Sequence, residues 1–194
     1  MRIISGSARG TKIQTIESNT TRPTLDRVKE SLFNIIQNNL HSSNVLDLFA
    51  GSGALGIEAL SRGAELAIFC DINGDAVRTI KSNLQKTKLY DKAIVYNEDY
   101  RQCLEDLGKK NYKFDIVFLD PPYKMDIAVK SLKLIIQNNL IKKETIIVIE
   151  TDEKNRDEKE LQEIKNKVEI YDKRKYGRAN LFFMRIRGEK DGNI

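Results

Sequence analysis

The run Val45-Leu46-Asp47-Leu48-Phe49-Ala50-Gly51-Ser52-Gly53-Ala54-Leu55-Gly56 constrains the fold of this chain more than any other stretch. It reads as a buried strand, a glycine turn and the start of a helix that continues through Ile57-Glu58-Ala59-Leu60, which is the context the G-x-G-x-x-G pattern requires. Glycines there permit positive φ and close approach of backbone to a ligand, and the helix N-terminus leaves N–H donors beside it. Similar units follow one another, so that strands and helices alternate from residue 43 to residue 150, and such alternation argues for a doubly wound, mostly parallel sheet. Before this region, residues 2 to 15 suggest a basic β-hairpin. Residues 25 to 39 form an amphipathic helix with Val28, Leu32, Ile35 and Ile36 on one face. After it, Lys167 to Lys173 and Asn180 to Arg187 read as two strands around Tyr176-Gly177 that close the sheet with an antiparallel edge. The expectation is an α/β, Rossmann-like protein with a seven-stranded, mostly parallel sheet, an antiparallel C-terminal strand and an N-terminal hairpin.

The ligand of the glycine turn is constrained by what stands at the next strand ends. Leu66-Ala67-Ile68-Phe69-Cys70 stops at Asp71, about twenty residues past the glycines, where a carboxylate hydrogen-bonds ribose hydroxyls. That spacing fits NAD as well as any other adenosine cofactor. Ala93-Ile94-Val95-Tyr96 leads through Asn97-Glu98 to Asp99-Tyr100, where Asp99 can accept from an adenine amine. Asp47, Asp71 and Asp99 together repel a pyrophosphate but favour a sulfonium and an amino group. S-adenosylmethionine therefore fits better than a dinucleotide, with Asp47, Phe49, Ala50, Gly51, Ser52, Gly53, Gly56, Asp71, Ile72, Asp99 and Tyr100 as its candidate contacts. The plainer alternative is that acidic residues simply end strands and cap helices, which is common for any one of them.

A fourth strand, Phe114-Asp115-Ile116-Val117-Phe118-Leu119, ends in Asp120-Pro121-Pro122-Tyr123. An exocyclic amine on a nucleobase is a poor nucleophile because its lone pair is delocalised into the ring. Two acceptors aimed at its N–H bonds draw the nitrogen towards tetrahedral geometry. The Asp120 carboxylate can be one and the Pro121 carbonyl the other, its direction set by the fixed φ of Pro121 and Pro122. Tyr123 offers a π face for a base taken out of its stack. As a bare Pro-Pro turn, the same tetrapeptide would merely end a strand.

Composition limits the remaining choices. With 194 residues, 40% of them hydrophobic, the chain can bury one good core and is too short for two ordinary domains. It has neither an apolar run of membrane-spanning length nor a hydrophobic signal region, so a cytoplasmic protein without a membrane partner is expected. Cys70 and Cys103 lack metal-ligand spacing and read as small buried hydrophobes; His41 lies near a helix end, and no metal is expected. The net charge of +5 coexists with 28 acidic residues, so placement matters more than the total. Arg2, Arg9 and Lys12 fall in the N-terminal hairpin, Arg22 and Arg27 in the following turn and helix, and Lys173, Arg174, Lys175 and Arg178 around the last hairpin turn. These are candidate nucleic-acid-binding residues, through phosphate contacts that weaken with salt, and they become RNA-binding candidates under the family resemblance given below. Each taken singly is equally a solvated basic side chain.

The blocks Met1-Arg2-Ile3-Ile4-Ser5-Gly6-Ser7-Ala8-Arg9-Gly10-Thr11-Lys12-Ile13, Thr21-Arg22-Pro23-Thr24-Leu25-Asp26-Arg27-Val28-Lys29-Glu30-Ser31-Leu32-Phe33, Asp47-Leu48-Phe49-Ala50-Gly51-Ser52-Gly53 and Asp120-Pro121-Pro122-Tyr123 together resemble the RsmD family of ribosomal RNA methyltransferases over nearly the whole chain. The resemblance implies the class I methyltransferase fold and methyl transfer from S-adenosylmethionine to N2 of guanine 966 in 16S rRNA. The implied substrate is this rRNA within the small ribosomal subunit or its assembly intermediate, and a monomer is expected. A single methyltransferase domain is expected over 1–188, with 1–24 as a basic hairpin extension and 189–194 as a tail. Two other readings share part of this pattern: a DNA adenine-N6 methyltransferase, which usually needs a target recognition domain, and a non-catalytic RNA-binding or assembly protein.

Overall fold

The computed structural model describes residues 1–16, 22–122, 127–151 and 154–187, and the side chains among them other than those of 22–25 and 154–157. In chain order the elements are α1 (Arg22–Ile36), β1 (Asn44–Asp47), α2 (Ala54–Ser61), β2 (Leu66–Cys70), α3 (Gly74–Thr87), β3 (Ala93–Tyr96), α4 (Tyr100–Lys109), β4 (Phe114–Leu119), α5 (Ala128–Gln137), β5 (Ile141–Thr151), α6 (Lys154–Gln162), β6 (Val168–Tyr176) and β7 (Ala179–Ile186). They build one seven-stranded sheet in the order β3-β2-β1-β4-β5-β7-β6. The first five of these are parallel, and β7 runs antiparallel to both β5 and β6.

The period of two along each strand divides the core into two layers. Val45, Phe69, Phe118, Val148 and Phe183 pack on one face against α1, α2 and α3, through residues such as Leu32, Ile57 and Ile80. Leu46, Ile68, Leu119, Ile149 and Phe182 pack on the other face against α4, α5 and α6, through Leu104, Leu132 and Leu161. Strands with apolar residues at every position are buried on both sides, which is the pattern a parallel sheet covered by helices demands.

As the sequence pattern implies, the last two strands close the sheet with an antiparallel pair, and within that pair the C-terminal strand is the inner one. β7 inserts between β5 and β6, and β6 is the outer strand. The reason lies in side-chain character. Leu181, Phe182, Phe183 and Met184 are apolar in succession and fully buried, so both faces of β7 need cover. In β6, Glu169, Tyr171 and Lys173 to Lys175 are exposed, and charged side chains of this kind suit an unpaired edge.

The N-terminal segment differs from a regular hairpin. A single bridge joins Arg2 and Lys12, flanked by Ile3 N–H to Thr11 O at 3.0 Å and Ile13 N–H to Met1 O at 3.0 Å. Between these points the backbone amides turn to helix α2: Ile4 and Ser5 donate to the Glu58 carboxylate at 2.8 and 3.0 Å, Ser7 to Ser61 O at 2.8 Å and Ala8 to Ser61 Oγ at 2.9 Å. Gly6, at φ +84°, lies so close that a Cβ would stand 1.7 Å from Ser61 O. Glu58 is fully buried and also receives Lys29 Nζ at 3.1 Å and Arg62 Nε at 2.8 Å. Every lone pair direction of this buried carboxylate thus meets a donor, and two charges of opposite sign offset its own.

Candidate active site

Five parallel strands deliver their C-terminal ends to one edge of the sheet, and acidic residues stand there in succession: Asp47 ends β1, Asp71 follows β2, Asp99 follows β3, Asp120 follows β4 and Glu150 lies near the end of β5. Ligands of open α/β sheets bind at this edge. A cavity of about 840 Å³ opens over it, roofed in part by α1 through Val28, Lys29 and Leu32.

Most of the candidate cofactor residues meet in its wall. Asp47, Phe49, Ala50, Gly51 and Ser52 line it from the glycine turn, and Asp71, Ile72, Asp99 and Tyr100 from the next two strand ends. Gly53 and Gly56 stand behind the wall. Gly53 enters α2 in the left-handed region at φ 77°, and a Cβ on Gly56 would meet the Phe69 ring at 2.3 Å, so this glycine sets how closely helix and strand pack. Asp120, Pro121 and Pro122 also line the cavity, together with Glu150, Glu98, Leu55 and Ile127, which motif reading did not single out. Tyr123 lies outside the described residues.

The hydrogen bonds of the glycine turn decide what kind of ligand it suits. Gly51 N–H donates to Asp71 Oδ2 at 2.8 Å, and Gly56 N–H donates to Asp47 Oδ2 at 3.0 Å. A phosphate-binding turn leaves such amides free for the anion. Here carboxylates occupy them, and the cavity presents Asp47, Asp71, Glu98, Asp99, Asp120 and Glu150 against two cations, Lys29 and Arg101, each already paired with an acid. The donor set fits a positively charged adenosine ligand and rejects a pyrophosphate.

Each carboxylate has its own environment. Asp47 is 2% exposed; burial pushes it up to about 7, opposed by the Gly56 N–H and assisted by the charge of Asp71. Asp71 also accepts from Asn73 N–H through Oδ1, at 2.9 Å. Asp99 caps α4 by accepting from Arg101 N–H and pairs with the Arg101 guanidinium at 2.7 Å; that pairing holds it below the usual carboxylate range. Its oxygens are thus engaged within the protein. Next to it, burial raises Glu98, with Asp106 adding and Lys110 opposing, and its Oε1 is buried without a hydrogen-bond partner among the described residues.

Asp120 and Glu150 form the most loaded part of the site. Leu119 and Ile149 are register partners on adjacent parallel strands, so the residues that follow them lie side by side. Burial, then the charges of Glu150 and Asp47, raise Asp120 well above the carboxylate range, and burial pushes Glu150 up to about 7. A charge on one of two neighbouring carboxylates opposes ionisation of the other, so the pair gives up its protons in two separate steps. Among the described residues no group of three or more His, Cys, Asp or Glu is placed to hold a metal ion.

The basic candidates are scattered across the rim of α1 and the two flanking segments. Arg2, Arg9, Lys12 and Arg27 are exposed, as are Lys175 and Arg178 at the β6–β7 turn. Tyr176 meets the Ser31 hydroxyl, which brings that turn against α1, and Lys29 Nζ donates to Arg2 O at 2.7 Å, which brings the N-terminal segment there too. Two members are compromised: Lys173 pairs with Glu158 at 2.8 Å and Arg174 with Asp172 at 3.0 Å. The side chain of Arg22 lies outside the described residues. Cys70 and Cys103 are both buried, and no helix among the described residues is long and apolar enough to cross a membrane.

A 3-2-1-4-5-7-6 sheet with an acidic cavity at its parallel strand ends defines a class I methyltransferase that uses S-adenosylmethionine as methyl donor. Comparison with known proteins places it more closely. Residues 1–185 match the family described as Conserved hypothetical protein 95, and the chain belongs to this family, the RsmD family. The Bacillus subtilis protein YlbH is 41% identical over 188 residues, covering 97% of this chain and 100% of its own. The Haemophilus influenzae protein named Ribosomal RNA small subunit methyltransferase D is 40% identical over 153 residues, 78% of this chain and 79% of its own. Among solved structures, the Escherichia coli protein yhhF superposes with a TM-score of 0.82 at 30% identity, covering 96% of this chain and 98% of that one.

Proposed function

We propose that this methyltransferase modifies the exocyclic N2 of a guanine in 16S rRNA, at the position numbered 966, and that the acidic strand ends and the Asp120-Pro121-Pro122-Tyr123 turn are its working parts. The observation that carries the chemistry is the Asp120 carboxylate, held in the cavity wall beside Pro121 and accepting no hydrogen bond among the described residues. The rRNA target is supported by relatives named as small-subunit ribosomal RNA methyltransferases, which share 34 to 40% identity with this chain.

In this reading Asp71 holds the ribose hydroxyls of the donor, its fixed orientation coming from the Gly51 and Asn73 amides. Asp47 faces the amino group, and the exposed side chain of Ile72, 71% accessible, covers the adenine. When bound, S-adenosylmethionine supplies an electrophilic methyl group whose sulfur departs as a neutral thioether. The protein's part is to present the amine in line. Asp120 and the Pro121 carbonyl accept its two N–H bonds, which returns the lone pair to nitrogen, and Tyr123 stacks on the base. Once methylated the nitrogen is acidic, so Asp120 or water removes its extra proton late and no strong base is needed. Arg2, Arg9, Lys12, Arg27, Lys175 and Arg178 contact phosphates, with Lys173 and Arg174 beside them on the β6–β7 hairpin, and Arg22 is assigned the same role from its sequence position. The substrate is the small subunit or its assembly intermediate, and the enzyme works as a cytoplasmic monomer.

A labelled-methyl assay offering duplex DNA, free 16S rRNA and unmethylated small subunits, followed by nucleoside identification, tests this. N2-methylguanosine in rRNA is expected; N6-methyladenosine in DNA would favour the adenine enzyme instead.

A further inference from the structure

The roles above leave two strand-end acids unassigned, and of these Asp99 is already engaged by Arg101 and the cap of α4, which leaves Glu150. It lines the cavity beside Asp120, and the pairing of Leu119 with Ile149 puts the two residues on neighbouring strands at the same level, about 4.8 Å apart. Alternation along the strands puts both on the face that Phe118 and Val148 share. A carboxylate kept for structure in this protein looks different: Glu58 receives two backbone amides and two cations. Among the described residues Glu150 receives no donor at all, and the charge it acts on is another acid, Asp120. Two unpartnered carboxylates held together are costly to bury, so the occupant must bring N–H groups in excess of one amine.

We propose that Glu150 reads the target base, accepting the ring N1–H of guanine while Asp120 accepts from the adjacent N2 amine. This rests on the guanine reading above. Guanine presents N1–H and N2–H₂ as consecutive donors along one edge, and the acceptors Glu150, Asp120 and the Pro121 carbonyl match them in number. Adenine presents a lone pair at N1 beside its amine, and that lone pair would face a carboxylate. Selectivity for guanine then comes from an acceptor that adenine cannot satisfy.

The test replaces the target guanine by 2-aminopurine, which keeps the amine at C2 but carries an acceptor at N1. Small subunits reconstituted with either base are offered to wild type, Glu150→Gln and Glu150→Ala at pH 8.5, and kcat/KM is measured for each pair. Wild type should prefer guanine by about 100-fold or more. Glu150→Gln, whose amide can donate to N1, should narrow that ratio by about tenfold or more, and Glu150→Ala should narrow it too. Equal loss on both bases with the ratio unchanged would make Glu150 a positioning or proton-handling residue and overturn base reading, as would a variant indistinguishable from wild type. Calorimetric S-adenosylmethionine binding by both variants checks that they fold. Failure of wild type to methylate guanine would instead refute the reading of the target itself.

Discussion

Among single residues, the site is a set of carboxylates whose environments differ enough to give each a separate signature. Asp71 is oriented by two amides, so Asp71→Ala should weaken S-adenosylmethionine binding by about tenfold or more, as expected for loss of a charge-assisted hydrogen bond, before it affects the chemical step. Isothermal calorimetry reads this directly. Glu150 is raised to about 7 and Asp120 well above the carboxylate range, and both accept N–H bonds best when ionised, so kcat/KM should climb as pH rises through about 7 and go on climbing until Asp120 has also lost its proton. Asp47 runs the other way for stability. Its folded-state value of about 7 lies above that of the unfolded chain, so the folded protein holds the proton longer. Its contribution is full below the usual carboxylate range and is lost as pH rises towards about 7, by at most about 1.4 kcal/mol per unit. Asp47→Asn should therefore gain in Tm over wild type as pH goes from 4 to 8, while losing cofactor affinity. Asp47, Asp71, Asp99 and Asp120 were legible because each ends a recognisable strand. Glu150 was not, since its partnership with Asp120 depends on the β4–β5 register, a pairing of residues about thirty positions apart that no local pattern encodes.

Elements are where local pattern and structure agree most and where their differences have identifiable causes. The bounds of β2, β3 and β4 coincide with the runs read from the sequence; β2 is apolar throughout because it is covered on both faces, whereas β3 at the sheet edge is only half-buried. The order of the last two strands was hidden, because a hairpin reads the same whichever of its strands pairs inward; only the unbroken burial of β7 decides it. The N-terminal segment escaped for a related reason: its amides are satisfied by Glu58 and Ser61, more than fifty residues away, and Glu58 sits in a helix that reads as apolar. Glu58→Ala would leave Lys29 buried without its counter-charge, and a loss of about 3–5 kcal/mol is expected by urea denaturation, with faster proteolysis ahead of α1. Gly56→Ala would drive a methyl group into Phe69, costing about 1–3 kcal/mol.

Across the molecule, the sheet brings together two things that are far apart in sequence: an acidic cavity for a cationic donor, and a rim of cations beside α1. In the proposed function, this division of sign lets a protein with a net charge of only +5 bind both a cationic donor and an RNA. Charge removal at Lys175 and Arg178 together should weaken rRNA binding and lower the slope of log affinity against log salt by about one for each phosphate that is no longer neutralised, leaving S-adenosylmethionine affinity unchanged. Removing Lys173 and Arg174 should do less, because each already has an acidic partner. Everything proposed for the chemistry depends on Asp120 activating the target amine without holding the cofactor. Single-turnover methyl transfer by Asp120→Ala, with donor affinity measured on the same preparation, is the decisive experiment. The rate should fall by about 100-fold or more, the scale of losing one preorganised catalytic group, while the dissociation constant stays within about threefold. Transfer at the wild-type rate, or a loss that lies wholly in cofactor binding, would contradict it.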